Sequence, residues 1–349
     1  MSSKHLSLYQ NLGKICGYAP WNYTQSASVF EKLYSLILTT FYVIGFFISI
    51  DKKITLDYRK YGQFEIFTNV FLDSLFLLHS VQITVGPTFL KRKKWRKMLR
   101  NLHLTKSDTK TRTYLPHFEL LVTQVVIFVQ LIYSVTTWVN IWGWNHFTAY
   151  ITFHVFSYLL ISYNFYIIAF LRCLVLRYKE IKHNCDVSVS VAKIEEKLLI
   201  LSETVDLFSD VFGWSIIINI TNTTLLLADL TVVFISGEMN FGTDVDNLKV
   251  VIHYSLEMLF FIVPLIVILL YCQYIPEEAE TVWKKYQSEV TDPALEYDDN
   301  RNTMSIMVPM FTTNGYFILN RAVIMKIFAF FTTYVIVALQ FGGTIILLD

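Results

Sequence analysis

The chain has 349 residues, of which 54% are hydrophobic, 16% aromatic and only 16% charged. Soluble domains carry about 25% charged residues, so this composition excludes an ordinary soluble protein and indicates a membrane protein. The formal net charge of +1 also argues against nucleic acid as a partner.

The hydrophobic pattern predicts seven membrane-spanning helices in an all-α integral membrane protein. A spanning helix needs about 20 largely apolar residues at about 1.5 Å each. The stretches that fit are 33–50, 64–90, 118–143, 147–171, 207–236, 250–275 and 322–348.

A turn is predicted between the third and fourth spans, at Gly143-Trp144-Asn145. No charged residue lies between Glu119 and Arg172. One straight helix over that stretch would measure about 78 Å, more than twice a hydrocarbon core of about 30 Å, so the chain has to reverse. Nearer the end of the chain, a further apolar piece at 303–319 is interrupted by proline and glycine and predicts a short broken segment before the last helix.

Lysine and arginine predict the orientation, because they concentrate on the cytoplasmic side of membrane proteins. Ten lie between Lys91 and Arg112, after the second span, and none lies between the third and fourth spans. A cytoplasmic N-terminus places 24 of the 29 basic residues inside the cell, and seven spans then place the C-terminus outside. This orientation argues against a G-protein-coupled receptor. The basic run KRKKWRK at 91–97 is typical of a topology anchor, with a lipid-headgroup patch as the alternative.

The predicted orientation divides the chain into regions. We expect 1–32 to be a cytoplasmic N-terminal segment and 33–275 a six-helix region whose helices extend into the cytoplasm at 172–206. A cytoplasmic loop is expected at 276–302, and the broken segment and seventh helix occupy 303–349. Apolar residues three or four apart predict that the extension is helical and packs in the cytoplasm, with a subunit interface as one option. These residues are Ile194, Leu198, Leu201, Val205 and Phe208.

The sequence carries no motif typical of an enzyme. A Walker A loop, GxGxxG, HExxH and CxxC are all absent, and His, Asp and Glu are scattered rather than set at metal-ligand spacings. We therefore expect no catalytic residue, no metal site and no cofactor.

Polar residues within the predicted spans indicate a small-molecule pocket. A charged group at membrane depth costs roughly 2.5–3.5 kcal/mol on insertion scales, so each one needs a reason. Aromatic faces beside a few polar groups are typical of ligand pockets. Interfacial aromatic belts and hydrogen bonds between helices remain the alternative explanation. The candidate ligand-binding residues are Asp73, Trp138, Asn140, His154, Tyr158, Asp229, Tyr254 and Glu257.

The last span carries a polar stripe. Thr333 and Gln340 are seven residues apart and share a helix face with Val337 and Thr344. A ring of such side chains suits a pore for partly hydrated ions, which Val337 or Phe341 would close by dewetting. On these residues alone, the simpler explanation is that Gln340 hydrogen-bonds a neighbouring helix.

The segment TYVIVALQF, at 333–341, resembles the signature that ends the seventh transmembrane helix of insect gustatory receptors. The segment NGYFILNRAVIMKIFAFF before it also resembles that family, through Gly315, Phe317 and Asn320. The resemblance implies a tetrameric ligand-gated cation channel in the plasma membrane of sensory neurons. Its fold would be shared with insect odorant receptors, and four copies of the last helix would line one central pore.

The resemblance also implies roles for individual residues. The pore and gate would be formed by Thr333, Tyr334, Val337, Gln340, Phe341 and Thr344. The ligand would be a small tastant, bitter-type or sugar-like, and Val335 stands where the sugar-receptor group tends to have glutamate, which weighs against that group. Two alternatives remain: a metabotropic receptor without its own pore, and a secondary transporter that uses Asp73, Asp229 and Glu257.

Overall fold

The computed structural model describes residues 4–21, 26–56, 58, 63–105, 116–185, 191–236, 244–290 and 308–342. These residues are almost entirely helical and contain no β-strand beyond a single bridge between Thr312 and Ile318. The helices are α1 (Lys4–Cys16), α2 (Val29–Leu56), α3 (Gln63–Val85), α4 (Arg92–Leu104), α5 (Pro116–Cys185), α6 (Val191–Ser236), α7 (Asp244–Val290) and α8 (Ala322–Gly342). A π-helical turn (Gly86–Leu90) follows α3. The predicted all-α class is confirmed.

Seven membrane helices follow from these elements. α2, α3, α6 and α7 are each long and apolar enough to cross a membrane. α5 has 70 residues and breaks at Gly143, whose φ of 84° is readily adopted only by glycine. The rings of Trp138 and Tyr150 lie 4.6 Å apart on either side of the break, so the chain reverses there as predicted. The two halves, α5a (116–142) and α5b (144–185), and the apolar α8 complete the seven.

α5b forms the centre of the bundle, and α2 lies at its edge. Leu160, Phe170 and Leu174 of α5b have no exposed surface. By contrast, Phe41 and Phe47 of α2 are both 64% exposed. Such an apolar outer surface is suited to lipid rather than water.

Three helices continue beyond the predicted spans at the end of the bundle opposite the Gly143 turn. Within the cytoplasmic connection predicted at 276–302, α7 is helical as far as Val290, and residues 291–302 lie outside the described residues. Buried apolar residues three or four apart hold this part of α7 against its neighbours: Ala279, Val282, Trp283 and Tyr286. The predicted apolar positions from Ile194 to Phe208 are all buried within the same chain.

The basic run at 91–97 lies in and just before α4, which the sequence analysis did not predict as a helix. Trp95 is 1% exposed, and its ring stacks on Tyr166 of α5b with centroids 5.8 Å apart. The ion pairs of the run join Lys94 to Asp210, Lys97 to Glu203 and Arg92 to Glu31. The run therefore holds α4 against α6 and the start of α2, a structural role that neither sequence interpretation included.

The broken segment predicted at 303–319 is non-helical where the structure describes it, from residue 308 to the start of α8. Gly315 adopts a φ of 83° at its tip. The segment rests on Gly213 of α6, where an added Cβ would lie 2.8 Å from the backbone nitrogen of Asn314. α8 therefore begins from a loop that is seated directly on α6.

Candidate functional site

A cavity lies between α5a, α5b and α7, in the half of the bundle nearest the Gly143 turn, which is the predicted outer half. The space between its walls is about 330 Å³ including the open mouth. It is so narrow that it has room for about one water molecule. Phe260, Phe261 and aliphatic side chains form its apolar walls. Its polar lining consists of Gln130, His154, Ser157, Tyr158 and Glu257.

Three of the eight predicted ligand residues, His154, Tyr158 and Glu257, meet in this cavity. They come together because the Gly143 turn brings α5b back beside α5a, and α7 packs along both. The Tyr158 hydroxyl donates to Oε1 of Gln124 at 3.2 Å. Nδ1 of His154 lies 3.5 Å from Oγ of Ser134. The polar groups of α5b are thus tied to α5a, across the fold of the hairpin.

A chain of polar contacts runs from Trp138 to Glu257. Nε1–H of Trp138 donates to Nε2 of His253 at 3.1 Å. The same Nε2 lies 3.5 Å from Oε2 of Glu257, one turn along α7. His253 and Glu257 are 1% and 5% exposed, so this chain is shielded from solvent. It connects the aromatic end of α5a to the carboxylate in the cavity.

Asp73 is buried, but it belongs to an ion pair rather than to the cavity lining. Its carboxylate lies 2.6 Å from Nζ of Lys53, and both side chains are largely buried. Nζ of Lys53 also lies 4.2 Å from the ring centroid of Tyr150, the ring that packs on Trp138. The pair therefore borders the Trp138 end of the polar chain.

The other predicted ligand residues lie apart from the cavity. Tyr254 is half-buried, with its ring 5.1 Å from that of His253. Asn140 is exposed on α5a. Asp229 is half-buried on α6, close to Tyr334 of α8. Binding of a ligand by any of the eight remains a prediction.

α8 packs on one side only. Val323 and Val335 are buried, and α8 makes most of its contacts with α6. Thr333 and Gln340 are both exposed on the opposite side, as expected for residues seven apart. Val337 is half-buried at the margin of that face. Phe341 belongs to the helix, but its side chain and the whole of Thr344 lie outside the described residues.

Tyr334 connects α8 to two other helices. Its side chain is half-buried, and its hydroxyl forms a hydrogen bond with Thr68 of α3 and faces Asp229 of α6. The predicted pore residues thus divide into two groups. The side chains of Thr333 and Gln340 are exposed, whereas that of Tyr334 is half-buried against other helices.

No family model matches the chain, and no curated protein matches it. Among solved structures, the chain is similar to the insect olfactory receptor OR5 from Machilis hrabei, with a TM-score of 0.60, and to the same receptor in complex with eugenol, with a TM-score of 0.61. Each alignment has 15% sequence identity and covers 97% of this chain and 98% of the other. The chain has the fold of that receptor. Both of these structures are of a receptor rather than an enzyme.

Two residues that contact the predicted ligand-binding residues, Lys53 and Gln124, were not identified from the sequence. Lys53 was assigned to a loop because the first predicted span ended at residue 50, whereas α2 continues to Leu56. A signal was present, since basic residues are unusual on a predicted outer loop. Gln124, which accepts the bond from Tyr158, gave no signal in a continuous apolar span. Among the described residues, no group of three or more His, Cys, Asp or Glu is placed to hold a metal ion.

Proposed function

We propose that the chain is a gustatory receptor subunit that forms a ligand-gated, weakly selective cation channel in the plasma membrane of sensory neurons. A small tastant, bitter-type or sugar-like, binds in the cavity and opens a pore formed by α8 from four subunits. The seven-helix fold, the cavity and the signature in α8 support this proposal. One of the two similar structures is a complex with eugenol, which supports a small organic ligand here as well.

The observation that carries the proposal is the one-sided packing of α8. Its buried side meets α6, and the opposite side exposes Thr333 and Gln340. In a single chain surrounded by lipid, this face would present polar side chains towards hydrocarbon, where such side chains are uncommon. In a tetramer with α8 at its centre, the same groups would meet water and ions. The sidedness of α8 therefore favours a pore lining.

The composition of α8 accounts for weak selectivity. From Ile327 to Gly342 the helix has no Asp, Glu, Lys or Arg. A ring of four Gln340 amides offers both donors and acceptors to a partly hydrated cation but no fixed charge. Small cations would therefore be poorly distinguished from one another. Val337 and Phe341 are the residues that would close the pore by dewetting.

α3 offers a route from ligand to pore. It carries Thr68, which bonds Tyr334 of α8, and one and a half turns later it carries Asp73. Asp73 in turn pairs with Lys53, which lies on the ring of Tyr150 beside the aromatic end of the cavity. A ligand that displaces these rings would move α3 and, through it, α8.

The channel mechanism is tested by recording ligand-evoked currents in heterologous cells while G-protein signalling is blocked. A screen of sugars and bitter compounds by calcium imaging supplies the agonist. We expect currents that persist under the block and are absent from cells without the protein. Loss of every response under the block would favour a metabotropic receptor. Saturable uptake that depends on an ion gradient, without unitary currents, would favour a transporter.

The pore assignment is tested by Gln340→Ala. We expect a changed cation permeability or gating at normal surface expression, because the amide ring is lost from the exposed face. Gln63→Ala is the control, since Gln63 is an exposed glutamine at the start of α3. Unchanged permeability and gating in the Gln340 variant would remove this residue from the pore.

A further inference from the structure

The cavity contains a carboxyl group whose ionised form has no cation among the described residues to balance it. Glu257 lines the cavity and is 5% exposed. Among the described residues, the only basic side chain within ion-pair distance of it is His253. A buried charge without a partner is costly, and proteins normally supply a counter-charge. The charge of the His253 ring therefore determines whether Glu257 has a counter-charge.

His253 is neutral in this arrangement. The indole N–H of Trp138 is a donor only, so Nε2 of His253, at 3.1 Å, has to accept that bond with its lone pair. The proton of the ring then resides on Nδ1, which is buried without a partner. A neutral imidazole provides no positive charge to Glu257, although its Nε2 lies 3.5 Å from Oε2. His253 thus leaves the carboxylate unbalanced.

The ammonium group of Lys53 is paired with another carboxylate. Lys53 borders the same aromatic cluster, but its ammonium pairs with Asp73 at 2.6 Å. That pair is neutral as a unit and supplies no counter-charge to Glu257, so the ionised form of Glu257 has no cation among the described residues to balance it. Without a bound ligand, burial favours the neutral acid, whereas a cationic ligand would stabilise the ionised carboxylate by pairing with it. An anionic ligand would oppose that ionisation.

The walls of the cavity also suit a cation with an apolar body. The free space is about the size of one water molecule, which is also about the size of an ammonium group. Ser157 Oγ and Nε2 of His154 are buried without partners, so both are available to accept hydrogen bonds from an ammonium. The rings of Phe260 and Phe261 form the apolar wall beside Glu257. Aromatic faces attract cations and pack against apolar groups.

We propose that the ligand of this cavity is a small organic ammonium whose charged group pairs with Glu257 and whose apolar body packs against Phe260 and Phe261. The proposal rests on the proposed function in taking this cavity as the ligand site. It goes further by naming the charge of the ligand and the residue that selects it. Because the cavity has room for the ammonium alone, these rings have to move to admit the rest of the ligand. Binding of the ammonium thus displaces side chains of α7.

The test compares three probes of similar shape, 2-phenylethylamine, 2-phenylethanol and 3-phenylpropanoate, on the full chain purified into lipid nanodiscs. Binding is measured by calorimetry, which does not require the channel to open. We expect the amine to bind at least about tenfold more tightly than the alcohol, since hydrogen bonds to charged groups contribute about 1.5–3 kcal/mol. The carboxylate is expected to bind most weakly.

Variants of Glu257 assign the preference to this residue. Glu257→Gln should lower the affinity for the amine by about tenfold or more and leave that for the alcohol almost unchanged. Glu257→Asp retains the charge and should keep the preference for the amine. Glu277→Gln, the same change at an exposed position of α7, is the control. Thermal unfolding of each variant separates loss of binding from loss of folding.

Equal affinity for amine and alcohol, no binding of the amine, or an amine preference that survives Glu257→Gln would overturn the proposal. These outcomes differ from failure of the proposed function. If neutral compounds evoke currents and amines do not, the channel function is supported and the ammonium site is refuted. If the amine binds through Glu257 but no compound evokes a current, the ammonium site is supported and the channel function is refuted.

Discussion

The cavity and the last helix use polar groups in opposite ways. In the cavity region several polar groups are paired within one chain: Trp138 donates to His253, Tyr158 to Gln124, and Lys53 pairs with Asp73. On α8, the side chains of Thr333 and Gln340 are exposed on one face of the helix. The first region can be built by a single subunit. The second gains an aqueous environment only when other subunits surround it.

This difference separates two kinds of mutational effect. Changes around the cavity should alter the free energy of unfolding of the single chain, because they break contacts within it. Changes on the exposed face of α8 should leave that free energy nearly unchanged and alter ion permeation. The contrast between the cavity region and α8 would be weakened if any of the following variants behaved otherwise than expected.

The largest effect on stability is expected from Lys53→Met. It leaves the carboxylate of Asp73 buried without its partner, and breaking one side of a buried ion pair costs about 3–5 kcal/mol. Thermal unfolding of the purified protein measures the loss. The double variant Lys53→Met/Asp73→Leu should recover most of it, because no lone charge remains. A single variant as stable as the original chain would show that the pair contributes nothing.

A smaller loss of about 1–3 kcal/mol is expected from Gly213→Ala, since overpacking a tight contact forces the backbone apart. The added methyl group would lie 2.8 Å from the backbone nitrogen of Asn314, in the loop from which α8 begins. Gly86→Ala is the matched control, because nothing lies within 4 Å of a Cβ there. Equal unfolding temperatures for the two variants would mean that the loop adjusts freely on α6.

The contact between Tyr334 and Thr68 joins α8 to α3. Its removal should weaken the coupling between ligand binding and pore opening. Tyr334→Phe and Thr68→Val each remove one partner of a single hydrogen bond, worth about 0.5–1.5 kcal/mol. Each should shift the half-maximal concentration of the agonist by about two- to tenfold. The double variant should shift it no further, because both changes break the same bond. Additive shifts would place the two residues on independent routes.

The sequence was sufficient for features that depend on local pattern or on length. The charge-free stretch was too long for one span, so the reversal at Gly143 was predictable. The spacing from Ile194 to Phe208 predicted a buried helical face. The pairing of Lys53 with Asp73 was not predictable, because it depends on the register of α2 against α3. The role of Trp95 was hidden for a similar reason, since its partners Tyr166 and Phe212 lie on two distant helices.

The smallest effect on stability and the sharpest effect on permeation are expected from a matched pair on α8. The hydroxyls of Thr332 and Thr333 donate to the carbonyls four residues earlier, each at 2.9 Å, and both side chains are exposed. Thr332→Val and Thr333→Val therefore remove the same local bond and should each change the free energy of unfolding by less than about 0.5 kcal/mol. Only Thr333 shares the face of Gln340, so only Thr333→Val should change the reversal potential under bi-ionic conditions. If Thr332→Val changes it equally, the pore is not lined by that face, and the exposed threonines of α8 meet lipid or a neighbouring subunit instead.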